Sequence, residues 1–130
     1  MIAEEQSRRE DAAARQANRV LICDTNAFAT VLWHRRYVGS PSPAVAKIAS
    51  RGKCDLYLLT GDEIRFVQDG LRDGEHIRHE MHRWFEQALA TQSVPWHVVR
   101  GSPALRLEQA IHLIQALFKG STWSPPVYAV

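Results

Sequence analysis

Short apolar runs alternate along the chain with longer stretches whose apolar residues recur every three or four positions. The short runs are Val20–Cys23, Leu56–Leu59 and Val94–Val99. The first two lack polar alternation, which is typical of strands buried on both faces of a parallel sheet. The third has Pro95 near its start, where the missing N–H costs least. We therefore predict three strands, the first ending at Asp24.

The longer stretches predict five helices, because their apolar residues fall on one face and capping residues stand at their ends. Thr25 or Asn26 can cap the second helix. Ser42 and Ser102 each precede a proline that suits the first helical position. The alanine-rich first helix has no strand before it, which is unusual for an α/β domain. The predicted helices cover about residues 2–18, 26–37, 43–52, 75–90 and 103–119.

This order of elements defines the expected fold class. Strands that alternate with helices indicate an α/β fold, with a parallel sheet flanked by helices in a three-layer arrangement. A chain of 130 residues is long enough for one domain with a real core. We assign residues 1–120 to that domain and residues 121–130 to a C-terminal tail.

The composition is that of an ordinary soluble globular protein. Apolar residues make up 45% of the chain, and a net charge of +2 is too mild to indicate nucleic-acid binding. No apolar run is long enough to span a membrane, so we expect no membrane partner. The two cysteines, Cys23 and Cys54, form no CxxC pair. We expect Cys23 to be a core residue and the protein to be cytoplasmic.

The carboxylate that follows the first predicted strand is the leading candidate for chemistry. Ligands of open α/β sheets bind at the carboxyl ends of the strands, where Asp24, Thr25 and Asn26 would lie. Four apolar residues followed by Asp are also the pattern of a Walker B strand, whose Asp positions Mg²⁺ near a nucleotide phosphate. The alternative is that Asp24 begins a turn or caps the next helix.

Three further features each allow a functional and a structural interpretation. The charged, glycine-containing segment 62–74 follows the second predicted strand and is either a lid or an ordinary surface loop. The aromatic and basic cluster 33–37 either stacks on a ligand or ends a helix with cations near its carbonyls. His76, His79 and His82 share one helix, where they bind zinc or form a solvated basic face.

Three segments in combination resemble the NadR-type nicotinamide riboside kinases, which are P-loop proteins of the AAA-like ATPase or kinase type. The segments are Ala17–Asn26, Asp55–Thr60 and Phe66–Arg72, and the resemblance extends from about residue 2 to residue 118. It implies a P-loop kinase-like fold. It also implies an enzyme of NAD salvage that transfers a phosphoryl group from ATP, with Mg²⁺, to a nucleoside such as nicotinamide riboside.

The resemblance also assigns roles to individual residues. Asp24 would be the Walker B carboxylate, close to Mg²⁺ and to the phosphoacceptor, and therefore both catalytic and a metal ligand. Arg72 would be the second catalytic residue, stabilising charge from a lid over the phosphates. Arg78 would be a second cation of that lid. The implied cofactor-binding residues are Thr25, Asn26, Asp69 and Arg78.

Two departures from the family pattern affect these roles. The family commonly has Asp where this chain has Asn26, which can still accept a hydrogen bond. The sequence contains no GxxxxGK[ST], so the phosphate cradle, its lysine and its Mg²⁺-binding hydroxyl are missing. In the family the P-loop lies upstream of the matching part, so the chain resembles the C-terminal two-thirds of such a kinase.

The missing P-loop strand has a physical consequence. Val20–Cys23 and Leu56–Leu59 would flank an empty position in the sheet, with unpaired backbone groups on both sides. Either these strands pair directly, or a partner chain or a second copy fills the gap, or the chain folds poorly alone. We predict a truncated nucleoside kinase-like domain that is weak or inactive alone. The alternatives are a non-catalytic interaction or regulatory module of the same fold, and a small metal protein that uses the three histidines.

Overall fold

The computed structural model describes residues 1–65, 70 and 74–118. The chain divides into two compact units, Met1–Cys54 and Asp55–Val130, and each is described by itself. The proposed tail, residues 121–130, lies outside the described residues. No helix of the described part is both long and apolar enough to cross a membrane.

The first unit consists of three helices packed around a small core. They are α1 (Ile2–Gln16), α2 (Ala27–Val38) and α3 (Pro43–Arg51), and all three pack against one another. The core residues are small, and partly buried aliphatic side chains surround them. The buried members are Ala3, Ala27 and Val45, and the surrounding ones are Val31, Ile48 and Ala49.

Local capping explains where α2 and α3 begin and end. The Asn26 side chain accepts a hydrogen bond from the Ala29 N–H at 3.2 Å, as predicted for the N-cap of α2. Helix α2 ends at Gly39, whose φ of 80° is the left-handed conformation that glycine adopts at no steric cost. Ser42 caps α3 in the same way as Asn26 caps α2, and proline occupies the first turn.

In its described residues, the second unit contains a two-stranded parallel sheet and two helices. In chain order the elements are β1 (Tyr57–Thr60), α4 (Arg78–Ala90), β2 (Trp96–Val99) and α5 (Pro103–Gln115). The register aligns Tyr57 with Trp96 and Thr60 with Val99. This confirms two of the three predicted strands, their parallel pairing and the α/β class.

The helices of the second unit confirm the predicted periodicity, with one change of boundary. Helix α5 begins at Pro103 behind its Ser102 cap, as predicted. Helix α4 begins at Arg78 rather than at Glu75, because residues 75–77 form a turn closed by a hydrogen bond from the Ile77 N–H to the Gly74 carbonyl. Among the residues of this unit that the structure describes, the buried apolar ones are Met81, Leu89, Val99 and Ile114.

The predicted strand Val20–Cys23 is wrong. These residues form no strand, and no backbone hydrogen bond joins them to another described residue. A short apolar run becomes a strand only where a neighbouring strand pairs with its backbone, and the described part of the chain supplies none. Leu21 and Ile22 are therefore exposed, and the expectation that Cys23 is a core residue is also wrong, since its side chain is exposed. The predicted three-layer arrangement is not confirmed. The described residues contain two paired strands and helices.

Candidate functional site

The leading site candidate, Asp24, lies with Thr25 and Asn26 immediately before α2. Asp24 and Thr25 are exposed and stand just before the helix, whose first N–H groups carry partial positive charge. Asn26 is half-buried and serves as the N-cap. Its carbonyl also accepts a hydrogen bond from the Thr30 hydroxyl at 3.2 Å. The turn is therefore anchored at Asn26, while the two side chains before it face solvent.

Thr25 has a φ of 64°, within the left-handed region that β-branched residues rarely adopt. This conformation lies within the bend at residues 24–25 that leads from the segment 20–23 into α2. It costs conformational energy of roughly 1–3 kcal/mol, which the cap at Asn26 helps to offset. Asp24 therefore lies in a bend before α2, as the structural interpretation of this stretch predicts, but the residue that caps the helix is Asn26.

The residues present fit only part of an ATP·Mg²⁺ site. The exposed Asp24 carboxylate is a suitable oxygen ligand for Mg²⁺. A phosphate cradle requires glycines before a lysine at the start of a helix. The only Gly-Lys dipeptide, Gly52–Lys53, has Lys47 where the motif requires its first glycine, and it follows the end of α3. The chain therefore does not supply the groups that bind the phosphates.

The other residues assigned by resemblance lie elsewhere. Arg78 is the first residue of α4, and its guanidinium donates a hydrogen bond to the Ile64 carbonyl. This contact anchors the residues that follow β1 to the start of α4. Asp69 and Arg72 lie outside the described residues, as does most of the candidate lid. Arg78 belongs to the second unit, whereas Asp24, Thr25 and Asn26 belong to the first.

The sequence analysis missed a polar network at the carboxyl ends of β1 and β2. Glu63 accepts hydrogen bonds from the Gly101 N–H at 2.8 Å and from the Arg100 guanidinium at 3.0 Å. Asp62 accepts from the same guanidinium at 3.3 Å and from His79 Nδ1 at 2.7 Å. These contacts connect the residues after both strands with the first turn of α4. Carboxylates after one strand and a cation after its parallel neighbour are the sequence signal that predicts such a network.

The Gln109 side chain completes the network from α5. Its amide oxygen accepts from the Arg100 N–H at 3.1 Å, and its amide nitrogen donates to the Arg100 carbonyl at 2.8 Å. Because both backbone groups of Arg100 are bonded, the turn after β2 is held to α5. The pKa of Glu63 is lowered, chiefly by the hydrogen bond from the Gly101 N–H. Both carboxylates of the cluster are held by hydrogen bonds within it, and we interpret the cluster as structural.

Replacing Asp62 with Asn is expected to destabilise the second unit near neutral pH but not in strong acid. His79, followed by Arg100, lowers the pKa of Asp62 to about 2 from its usual 3.8. A carboxyl whose pKa is depressed by folding contributes stability above its unfolded pKa, and this contribution is lost as the pH falls through the folded value. The difference between Asp62→Asn and wild type should therefore shrink between pH 4 and pH 2.

Thermal unfolding followed by circular dichroism at pH 6 and at pH 2 measures this difference. Asp55→Asn is the matched control, because Asp55 is an exposed carboxylate in the same unit with no ion pair to a described residue. The Asp55→Asn variant should have the same melting temperature as wild type at both pH values. If Asp62→Asn lowered the melting temperature by the same amount at pH 6 and pH 2, the stabilising role assigned to the ionised Asp62 would be wrong.

The histidine and aromatic features are explained by local contacts. His79 pairs with Asp62, and the buried His82 lies 3.3 Å from the Glu86 carboxylate. No group of three or more potential ligands is arranged to hold a metal ion in the part of the chain that the structure describes. At the end of α2, the Arg36 guanidinium stacks 4.9 Å from the Tyr37 ring centroid. Arg35 and Arg36 lie in the last turn of α2, which agrees with the interpretation of the cluster 33–37 as a helix end with cations near its carbonyls.

Comparison with known proteins assigns the chain to a class. A family model described as "AAA domain" matches residues 1–106, which is most of the chain and includes every helix and strand from α1 to β2. The chain therefore belongs to the AAA domain family, whose fold is of the P-loop NTPase-like, nucleotide-binding type. Searches of curated proteins and of solved structures found no match.

Proposed function

We propose that this chain is a truncated, ATP-dependent nucleoside kinase-like domain of the nicotinamide riboside kinase type, weak or inactive by itself. The observation that carries the proposal is an AAA domain match over residues 1–106 in a sequence without GxxxxGK[ST]. The match supports a nucleotide-binding fold. The missing motif means that the groups that bind the phosphates must come from outside this sequence.

In the complete form, Asp24 is the residue expected to act beside Mg²⁺. Its support is an exposed carboxylate at the amino end of α2, where no described side chain neutralises it. When bound, ATP would supply the phosphoryl group and Mg²⁺ would neutralise charge on the phosphates, while the protein positions the reactants and stabilises charge. By resemblance, Arg72 and Arg78 would contribute the cationic side of that stabilisation, and Asp69 would be a cofactor-binding residue.

A second candidate function is a non-catalytic interaction or regulatory module that retains part of the fold. The observation that favours it is the position of Gly52–Lys53 after the end of α3, which leaves the chain without a phosphate cradle of its own. If the chain is such a module, it should fold stably, and a binding partner rather than a nucleotide should determine its role. Asp24 then serves only to begin the turn before α2.

The coding sequence upstream of Met1 distinguishes the two candidates. The kinase-type proposal predicts a GxxxxGK[ST] motif there, in frame or behind a frameshift. A product that includes the motif should phosphorylate nicotinamide riboside with ATP and Mg²⁺. In that product Asp24→Asn should lower kcat by roughly a hundredfold or more, because a metal-side carboxylate acts in the transition state.

A matched control for this experiment is Asp11→Asn. Asp11 is an exposed carboxylate on α1, and its replacement should leave kcat unchanged. Absence of the motif in all frames upstream, or an Asp24→Asn product with full activity, would refute the kinase-type proposal. The first of these outcomes favours the interaction module.

A further inference from the structure

We propose that the hairpin of α2 and α3 binds single-stranded nucleic acid, with cations of α3 on the phosphates and the aromatic pair of α2 on the bases. The α2–α3 hairpin is residues 25–54, and it lies within the first unit. The proposal does not depend on the proposed kinase-type function. It gives a ligand class to the aromatic and basic cluster 33–37 and adds the cations of α3 to that surface.

Charge is distributed unevenly along the chain. Five of the 16 lysines and arginines, and none of the 14 acidic residues, fall within residues 25–54. The remaining 11 cations and 14 acidic residues give the rest of the chain a net charge of −3. The mild total of +2 therefore combines a strongly basic hairpin with an acidic remainder, and by itself it does not exclude nucleic acid. A basic segment of this kind is the electrostatic footprint of a nucleic-acid surface.

Three cations of the hairpin are available to phosphates. Lys47, Arg51 and Lys53 are all exposed, and none of them forms an ion pair within the part of the chain that the structure describes. Lys47 and Arg51 are four positions apart and therefore share one face of α3. Arg35 and Arg36 are not counted as phosphate ligands, because each already contacts another group of the chain. Cations that neutralise phosphates release the condensed counterions of the strand, which drives binding.

The aromatic pair of α2 supplies ring surface for bases. Trp33 and Tyr37 lie one turn apart and are 36% and 63% exposed. Their ring centroids are 6.0 Å apart with 14° between the ring planes, and the Arg36 guanidinium lies 5.6 Å from the Trp33 centroid. The local contacts at this helix end therefore hold two rings nearly parallel before any ligand is present. Bases of any identity stack on such rings, because every base has a π face.

The combination favours single-stranded nucleic acid over other polyanions. In a duplex the base faces are already stacked, whereas single strands can place them on aromatic side chains. An anionic membrane requires large apolar side chains beside the cations, but the exposed residues of α3 other than Lys47 and Arg51 are only proline, alanine and serine. Helices of 12 and 9 residues are about 18 Å and 14 Å long, so a strand of several nucleotides can span both.

Fluorescence anisotropy of the whole chain with a labelled oligothymidylate tests the phosphate contacts. We expect a dissociation constant of roughly 10–100 µM at low salt, and a slope of log affinity against log salt of about −2, as three phosphate contacts predict. The double variant Lys47→Gln/Arg51→Gln should bind at least about tenfold more weakly, with a slope of about −0.7. Arg83→Gln is the matched control, because Arg83 is an exposed cation of α4 without an ion pair among the described residues. It should leave both quantities unchanged.

Replacement of the rings tests stacking independently of charge. Trp33→Ala should weaken binding about fivefold or more while the salt slope stays the same, since stacking releases no counterions. Trp33→Phe keeps a ring and should retain most of the affinity. Circular dichroism checks that each variant keeps its helices. Tyr37→Ala, at the more exposed ring, should show the same loss and replaces Trp33→Ala if that variant loses helix.

Four results would overturn the proposal. They are no oligonucleotide binding at low salt up to about 1 mM protein, wild-type affinity in the double variant, ring variants that bind like wild type, and equal binding of a duplex of the same length. Binding to phosphatidylserine vesicles or to polyglutamate without binding to the oligonucleotide also overturns it, in favour of a membrane or an acidic protein as the partner of this surface.

Discussion

Replacing Val45 with Asp is expected to unfold the helices of the first unit. Val45 is 5% exposed and packs in the core with Ala3 and Ala27. An unpaired carboxylate at this position loses its hydration without gaining a partner, which costs at least about 3 kcal/mol. Because the other buried residues of the first unit are three alanines and Leu32, little apolar burial remains to offset that cost.

Urea titration followed by far-ultraviolet circular dichroism measures this effect. Ala46→Asp is the matched control, since it places the same charge one position further along α3, on an exposed residue. The control should unfold within about 0.5 kcal/mol of wild type, as surface substitutions usually do. Equal stabilities of the two variants would show that Val45 does not belong to a core that supports the unit.

The helices could be predicted from the sequence because their signals are local. Asn26, Ser42 and Ser102 each accept a hydrogen bond from a backbone N–H of the turn that follows, and the two serines precede a proline. Caps of this kind act within three or four residues and do not depend on the rest of the fold. The start of α4 was misplaced because the turn at residues 75–77 shares the helix's apolar spacing.

The strands depend on distant partners, and here the sequence was only partly informative. The strands around Leu58 and Val98 formed because each supplies the other's backbone hydrogen bonds. Val20–Cys23 has an equally apolar pattern but no partner among the described residues, and so it forms no strand. An apolar run indicates what a strand would bury, whereas pairing decides whether the strand exists.

The candidate site likewise has one part that local sequence predicts and another part that depends on strand pairing. Asp24 precedes α2, as the local order of residues predicts, but its predicted position at the carboxyl end of a strand is wrong because residues 20–23 form no strand. The network of Asp62, Glu63, His79 and Arg100 was missed, since it joins residues 37 and 38 positions apart through the pairing of two strands. Which residues that pairing brings together becomes clear only when the register is known.

The chain by itself is expected to bind ATP·Mg²⁺ at best in the millimolar range. A P-loop donates several charge-assisted hydrogen bonds to the phosphates, each worth roughly 1.5–3 kcal/mol. Loss of even two such bonds weakens binding by a factor of about a hundred or more. Asp24 can still ligate Mg²⁺, but a single exposed carboxylate does not hold a nucleotide.

Isothermal titration calorimetry of the whole chain with ATP and Mg²⁺ tests the central claim most directly. The claim is that an AAA domain chain which retains the Mg²⁺-side carboxylate lacks the groups that bind the phosphates. We expect no measurable heat at micromolar ATP, and a dissociation constant in the millimolar range or beyond detection. Saturable binding with a micromolar dissociation constant that is lost in Asp24→Asn would contradict it.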